Sequence, residues 1–156
     1  MSSAVIVSLR VPAAPDESFR IFTEEIGEWW RDNPLFQLTP KGDGYLFFQP
    51  GEGGRLVARL ANGKEFEVGR ITRWAPPERL SLTWRHATFA PDQQTQVDIL
   101  FEAVGEETRI TVEHRGWDSI PEAHAARHGF PLMVFQQRLA EHWRAALAGV
   151  KAELTA

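Results

Sequence analysis

The chain contains no cysteine. Without a thiol there is no disulfide framework, no cysteine nucleophile and no thiolate metal site. Lysine is almost as scarce. Lys41, Lys64 and Lys151 are the only ones, no two Lys or Arg residues adjoin, and the formal net charge is −4. A surface that follows nucleic-acid phosphates needs clustered cations, so no nucleic-acid partner is expected. No apolar run approaches the ~20 residues of a membrane-spanning helix. The opening string MSSAVIVSLRVP has no basic region ahead of its apolar stretch, which Ser8 and Arg10 interrupt. It reads as a strand rather than a signal peptide, and the cytoplasm is the expected location. Patterns for a nucleophile elbow, a phosphate loop, a dinucleotide fold or a calcium loop are missing, and no cofactor is expected.

What the sequence does hold is apolar and aromatic. Its 156 residues are 43% hydrophobic and 24% charged, which excludes disorder and suits one globular domain spanning 1–156. A domain of this length buries roughly 68–70% of its unfolded surface, so it folds without staples. Six Trp and ten Phe stand against one Tyr.

Val5, Val7, Leu9 and Val11 alternate as in a strand with one buried face. After Pro12 and Pro15, the apolar positions Phe19, Phe22 and Ile26 and then Trp29 and Trp30 predict two short helices, broken at Gly27. From Gly42 to Trp117 the texture is strands and turns. Tyr45–Gln49, Arg55–Leu60 and Glu65–Trp74 read as strands. The pair Asn62-Gly63 points to a type I′ hairpin turn, and Gly69 to a bulge. Leu80, Leu82, Trp84 and His86 share a face of the next strand. Val97, Ile99, Phe101 and Ala103 follow on another, and Ile110, Val112 and His114 on the last. Ser119–His128 reads as a short helix opened by a Ser119–Glu122 capping box. After Pro131, the positions Leu132, Phe135, Leu139, Trp143, Leu147, Val150 and Leu154 recur at steps of three or four. Roughly 22 helical residues reach about 33 Å, enough to cross a sheet. The order predicts an α+β fold: a curved antiparallel sheet of about seven strands around a long C-terminal helix, with two short helices after the first strand.

Several strings carry a resemblance. FTEEIGEWW (Phe22–Trp30), APPERLSLTW (Ala75–Trp84), TQVDILFEAVGEETRITVEHRGW (Thr95–Trp117) and the long Leu/Trp helix after Phe130 together span nearly the whole chain. This chain resembles the START-like (SRPBCC) superfamily, and within it proteins related to the C-terminal domain of the activator of the heat-shock-protein-90 ATPase. That family often has Pro directly after its double Trp, whereas here Arg31-Asp32-Asn33 precede Pro34. The resemblance implies a helix-grip (START/Bet v 1-like) fold with a cavity between sheet and terminal helix, used in the superfamily for lipids, sterols, polyketides or other apolar molecules. It carries no shared catalytic motif.

The residues expected to line that cavity are Trp84, His86, Phe101 and His114 on the sheet and Phe135, Leu139 and Trp143 on the helix. Trp29, Trp30 and Trp117 are expected at its mouth or at a partner contact. Facing inward, His86 and His114 would be polar anchors in an apolar pocket; at strand ends, backbone or water would satisfy them instead. His124 and His128, four apart, would share a helix face and hold zinc with Glu122 or His142. The HExxH pattern is absent and a solvated face is the commoner outcome, so no metal is expected. Asp98, Glu102 and Glu113 alternate outward and do not converge. The leading expectation is therefore a domain that binds a small hydrophobic or aromatic molecule, as a monomer or homodimer. A chaperone co-factor or stress-response partner is the alternative. A cyclase- or dehydratase-like enzyme, with His86 and His114 as the available pair, is the second alternative, and no catalytic residue is assigned.

Overall fold

Strands form where apolar residues alternate, and they end where glycine or proline lets the chain turn. The computed structural model describes residues 4–31, 33–39 and 44–155. Of the positions named above, Met1 to Ser3, Asp32, Lys41 and Gly42 lie outside it. The strands are β1 (Ala4–Val11), β2 (Tyr45–Phe48), β3 (Arg55–Arg59), β4 (Glu65–Ala75), β5 (Arg79–Trp84), β6 (Thr95–Val104) and β7 (Glu107–Arg115). They make one antiparallel sheet in the order β1-β7-β6-β5-β4-β3-β2.

The register aligns the apolar positions in rows across the sheet. Val5 lies opposite His114 and Val7 opposite Val112. Beyond β7, Val97 lies opposite His114, Ile99 opposite Val112 and Phe101 opposite Ile110. Leu82 and Leu80 continue the rows into β5. All of these side chains are buried. Their burial stabilises the fold by roughly 1.5–3 kcal/mol for each large apolar group. The opposite face is charged: Arg115 pairs with Asp98 at 2.8 Å, and Arg59 with Glu65 at 3.0 Å.

Two irregularities bend β4. Leu56 faces Gly69 while Val57 faces Glu67, so Val68 is an extra residue and the predicted bulge is present. A Cβ on Gly69 would stand 1.8 Å from the Thr83 carbonyl oxygen, so only glycine lets β4 come this close to β5. A second register shift follows between Ile71 and Arg73. The Asn62-Gly63 turn differs from the expected I′ form. Gly63 has φ 84° while Asn62 does not have positive φ, and Gly63 N–H donates to Leu60 O at 2.9 Å. This is a type I turn closed by a left-handed glycine, which needs one positive φ instead of two.

Helix α1 (Pro15–Glu24) and helix α2 (Ile26–Trp29) follow β1. The break falls at Glu25 (φ −118°, ψ 28°) rather than at Gly27. The indole N–H of Trp29 donates to the Phe22 carbonyl at 3.1 Å, satisfying one of the acceptors that a helix C-terminus leaves open. Gly27 stays inside α2 because the Tyr45 ring packs where its side chain would be.

The predicted helix over Ser119–His128 is absent. Two 3₁₀ turns, Trp117–Ser119 and Ala125–Arg127, stand in its place. Ser119 Oγ donates to Gly116 O instead of capping a helix, and the bonds Ile120 N–H to Trp117 O and His124 N–H to Pro121 O close tight turns in place of a helical ladder. Arg127 secures this segment, donating to Ile120 O at 2.8 Å and Phe130 O at 2.7 Å. Helix α3 (Leu132–Thr155) then crosses the concave face, burying Phe135, Leu139, His142, Trp143, Ala146, Leu147 and Val150. No helix among the described residues is long and apolar enough to cross a membrane.

Candidate functional site

Two strands, the long helix and one connection meet in the gap between sheet and α3. β5 and β7 bring Trp84 and His114. α3 brings Leu139, His142 and Trp143. The connection from α2 to β2 brings Trp30, Phe36 and Leu38. With His86 they line a small chamber of about 10 Å³, the volume of about one water molecule. Aromatic packing fills the rest. Trp30 lies 5.6 Å from Trp84 and 5.7 Å from Trp143, Trp84 lies 5.6 Å from Trp143, and Phe36 stacks on His142 at 5.1 Å and 23°.

Most of the residues expected to line a cavity converge here, but side chains fill the expected space. Trp84, His86, His114, Leu139 and Trp143 border the chamber. Phe101 does not; it packs against Phe19 at 5.1 Å and Phe22 at 5.6 Å under α1. Phe135 lies behind Phe36 and against Trp117, at 5.5 and 4.6 Å. Of the three Trp expected at a mouth, Trp30 is half-buried. Trp29 and Trp117 are interior, at 0% and 1% exposure.

The three chamber histidines have different surroundings. His114 is enclosed by donors. Trp143 Nε1–H donates to its Nδ1 at 3.1 Å, and Trp117 Nε1–H faces its Nε2 at 3.1 Å. Thr95 Oγ1 lies 2.7 Å from that same Nε2 and donates to Trp84 O at 3.2 Å. A neutral imidazole has one N–H and one acceptor. With the Thr95 proton committed to Trp84, Nε2–H donates to Thr95 and Nδ1 accepts from Trp143. A cationic ring would set N–H against N–H on both sides. His114 accordingly lies well below the ordinary imidazole pKa, through burial first and then through His86 and His142.

His86 was expected on a strand in phase with Trp84, but β5 stops at Trp84. The chain bends as Arg85 N–H donates to Val68 O at 2.8 Å, and His86 reaches the interior from the following loop. It is 4% exposed and stacked on Phe89 at 5.3 Å. His142 is also 4% exposed. Neither ring makes a hydrogen bond among the described residues. Burial pushes His86 down to about 3, with His142, His128 and His124 adding to the shift, and pushes His142 to about 4. Both are neutral near pH 7.

His142, like Phe36 and Leu38, is a chamber wall that sequence reasoning does not identify. Its signal was its spacing: it sits three residues after Leu139 and four before Ala146, within the buried stripe of α3. His124 and His128 do not share a helix face. His124 Nδ1 accepts from Ala126 N–H at 3.0 Å, and His128, at φ 54°, bonds through Nε2 to Leu35 O. Among the described residues no three His, Asp or Glu side chains form a metal-binding group.

Residues 33–39 run along the chamber and border two outer clefts. One cleft, of about 310 Å³, is lined by Trp30, Phe36, Leu38, Leu46 and Ala58 among others. The other, of about 120 Å³, is bordered by Leu38, His86 and His128. Trp30, Phe36 and Leu38 are thus both inner wall and outer floor. Beyond the Thr39 end, this strap is bonded to the rest of the fold by Ala87 N–H to Leu38 O at 2.9 Å and by His128 to Leu35 O.

The family model described as Activator of Hsp90 ATPase homolog 1-like protein matches residues 12–150. No curated protein matches the chain. Similar solved structures include a protein of Mesorhizobium loti, 19% identical, at a TM-score of 0.65 over 98% of this chain and 96% of that one. The Aha1 dimer of Colwellia psychrerythraea is 17% identical, at 0.63 over 97% and 96%. A complex of the anthrahydroquino-γ-pyrone synthase Txn09 is 29% identical, at 0.52 over 88% and 86%.

Proposed function

Because the chain belongs to the Activator of Hsp90 ATPase homolog 1-like family within the START-like superfamily, we propose that it is a binding domain for a small hydrophobic or aromatic molecule. The observation that carries this reading is the 310 Å³ cleft floored by Trp30, Phe36 and Leu38. It falls in the size range of small-molecule sites, which are concave, mostly apolar and equipped with a few polar groups. The sheet–helix gap is filled as it stands, so the ligand first meets the outer cleft. A relative described as an anthrahydroquino-γ-pyrone synthase supports an aromatic ligand. The test is titration with naphthalene, followed by quenching of tryptophan fluorescence, alongside native mass spectrometry of gently purified protein. Saturable 1:1 quenching is expected. Its absence across a panel of fused-ring probes overturns the reading.

A second reading rests on a different surface. Ile6 on β1 and Met133 on α3 are 62% and 74% exposed and line one groove of about 400 Å³. In a family described by chaperone activation, that groove, where Ile6 and Met133 stand beside Gln136, Gln137, Glu141 and Arg144, supports contact with an Hsp90-type partner. Stimulation of the partner's ATPase, lost in Met133→Asp, is the expected result, and a rate unchanged by the domain removes this reading.

A further inference from the structure

We infer that His86 and His142 form the polar recognition site of an inner subsite, selecting an uncharged aromatic molecule that carries a hydroxyl or carbonyl group. This rests on the cleft reading above and deepens it. Two observations converge. First, both imidazoles are 4% exposed and border the same chamber, yet neither has a hydrogen-bond partner among the described residues. Their ring nitrogens are not among the fully buried polar atoms that lack a partner, which are Arg85 Nε, Asp98 Oδ2 and Arg127 Nε, so each imidazole keeps accessible polar surface that a ligand oxygen can meet. His114 shows the contrast in the same chamber, since side chains occupy both its ring nitrogens. Second, the wall facing the outer cleft consists of Trp30, Phe36 and Leu38 and contains no charged residue.

The chemistry of the lining defines the ligand. Each neutral imidazole offers one N–H donor and one nitrogen acceptor. A phenolic hydroxyl can accept from one ring and donate to the other, and a carbonyl oxygen can accept from both. Among the described residues no Lys or Arg lines the chamber, so a carboxylate would meet no counter-charge from them. The other walls are indole and phenyl faces, which stack on flat rings. The chamber of about 10 Å³ holds one water at most. A ligand therefore displaces Phe36 and the Trp30 ring, joining the chamber to the cleft, and its oxygen sits within reach of the two histidines.

The experiment uses naphthalene, 2-naphthol and 2-naphthoate with the full chain at pH 7.5. The three share a ring system and differ in the polar group. The expected result is that 2-naphthol binds roughly five- to tenfold more tightly than naphthalene, the worth of about one net hydrogen bond, while 2-naphthoate binds more weakly than 2-naphthol. His86→Phe and His142→Phe keep a flat ring and remove the polar atoms, so each should erase the preference while leaving naphthalene affinity within about twofold. Imidazole nitrogen NMR of the unaltered protein gives an independent readout. The His86 and His142 signals should move with 2-naphthol and not with naphthalene, whatever the fate of the variants. Equal affinity for the two probes, with no movement of those signals, overturns this inference and leaves the cleft reading intact. Failure of all three probes to bind overturns both.

Discussion

Trp143 donates its indole N–H to Nδ1 of His114 across 3.1 Å, tying the middle of α3 to the end of β7. Trp117 aims a second indole at the other nitrogen of the same ring. The ring has one acceptor for two such donors. The Thr95 relay to Trp84 assigns that acceptor to Trp143, so the two indoles are not equivalent despite similar burial. Trp143→Phe should therefore destabilise the fold by about 1–2 kcal/mol more than Trp117→Phe, the difference being one buried hydrogen bond. Urea unfolding of both variants measures it. A larger loss at Trp117 would assign the proton to Nδ1 instead.

Three buried neutral imidazoles make stability depend on pH. The folded-state pKa of each of His86, His114 and His142 lies below the unfolded value of about 6.5. The unfolded chain then binds more protons, so stability rises with pH. The contribution is full above about pH 6.5 and falls as pH drops toward about 4, where His142 starts to titrate within the fold. One proton is worth about 1.4 kcal/mol per pH unit, so the three histidines give up to about 4 kcal/mol between pH 6 and pH 5. Unfolding curves at a series of pH values should show this slope, reduced by about a third in His142→Phe. A flat profile over that range would mean that the rings are solvated.

Much of this architecture was legible because it follows simple periods. The alternation of Val5 to Val11 and of Ile110 to His114 located β1 and β7 and the inward face of His114. The steps from Phe135 to Val150 located α3. What stayed hidden lacks a period. Phe36 and Leu38 sit in a connection with no repeat, so nothing in the sequence marked them as chamber walls. His86 was assigned inward for the wrong local reason: a strand phase, where the structure has a loop after Trp84. Ser119 and Glu122 have the spacing of a capping box, but the Ser119 hydroxyl turns back to the Gly116 carbonyl. His142 obeyed the stripe of α3 and was passed over because its type is polar. The hydrogen bonds that set His114 apart from His86 and His142 depend on Thr95, Trp117 and Trp143 meeting in space.

Gly149 lets α3 approach α2. A Cβ there would stand 2.3 Å from the Trp29 carbonyl oxygen, and backbone cannot swing aside as a side chain does. Alanine is favoured over glycine inside a helix by about 1 kcal/mol, so an open position would gain from the change. Gly149→Ala should instead lose about 1–3 kcal/mol, as overpacked cores do. Thermal unfolding decides the sign, and a gain in stability would mean that α2 and α3 are not pressed together.

Arg127 is 4% exposed, and its guanidinium lies over the Phe135 ring at 5.3 Å while bonding two carbonyls. A lysine cannot reproduce two bonds from one planar fork. Arg127→Lys should therefore lose about 2–3 kcal/mol, approaching the loss in Arg127→Met, and both should loosen the segment from Trp117 to Phe130. Hydrogen exchange at Phe130 N–H, which donates to Arg127 O at 3.0 Å, reports this directly. A fully stable lysine variant would show that charge alone holds the segment.

Phe36 is part of the wall shared by the cleft and the chamber. It is 3% exposed and stacks on His142, with Phe135 behind it. Phe36→Ala removes the ring, joins the two spaces, and should cost about 3–5 kcal/mol of stability through the cavity it leaves. If the ring is the barrier to the inner subsite, the same change should raise the association rate of 2-naphthol at least tenfold in stopped-flow quenching of Trp30. The dissociation rate should rise as well, because a stacking partner is lost. Leu46→Ala, on the cleft side away from the chamber, should leave the association rate within about twofold. Equal rates in Phe36→Ala and the unaltered protein would show that the ligand stops in the outer cleft.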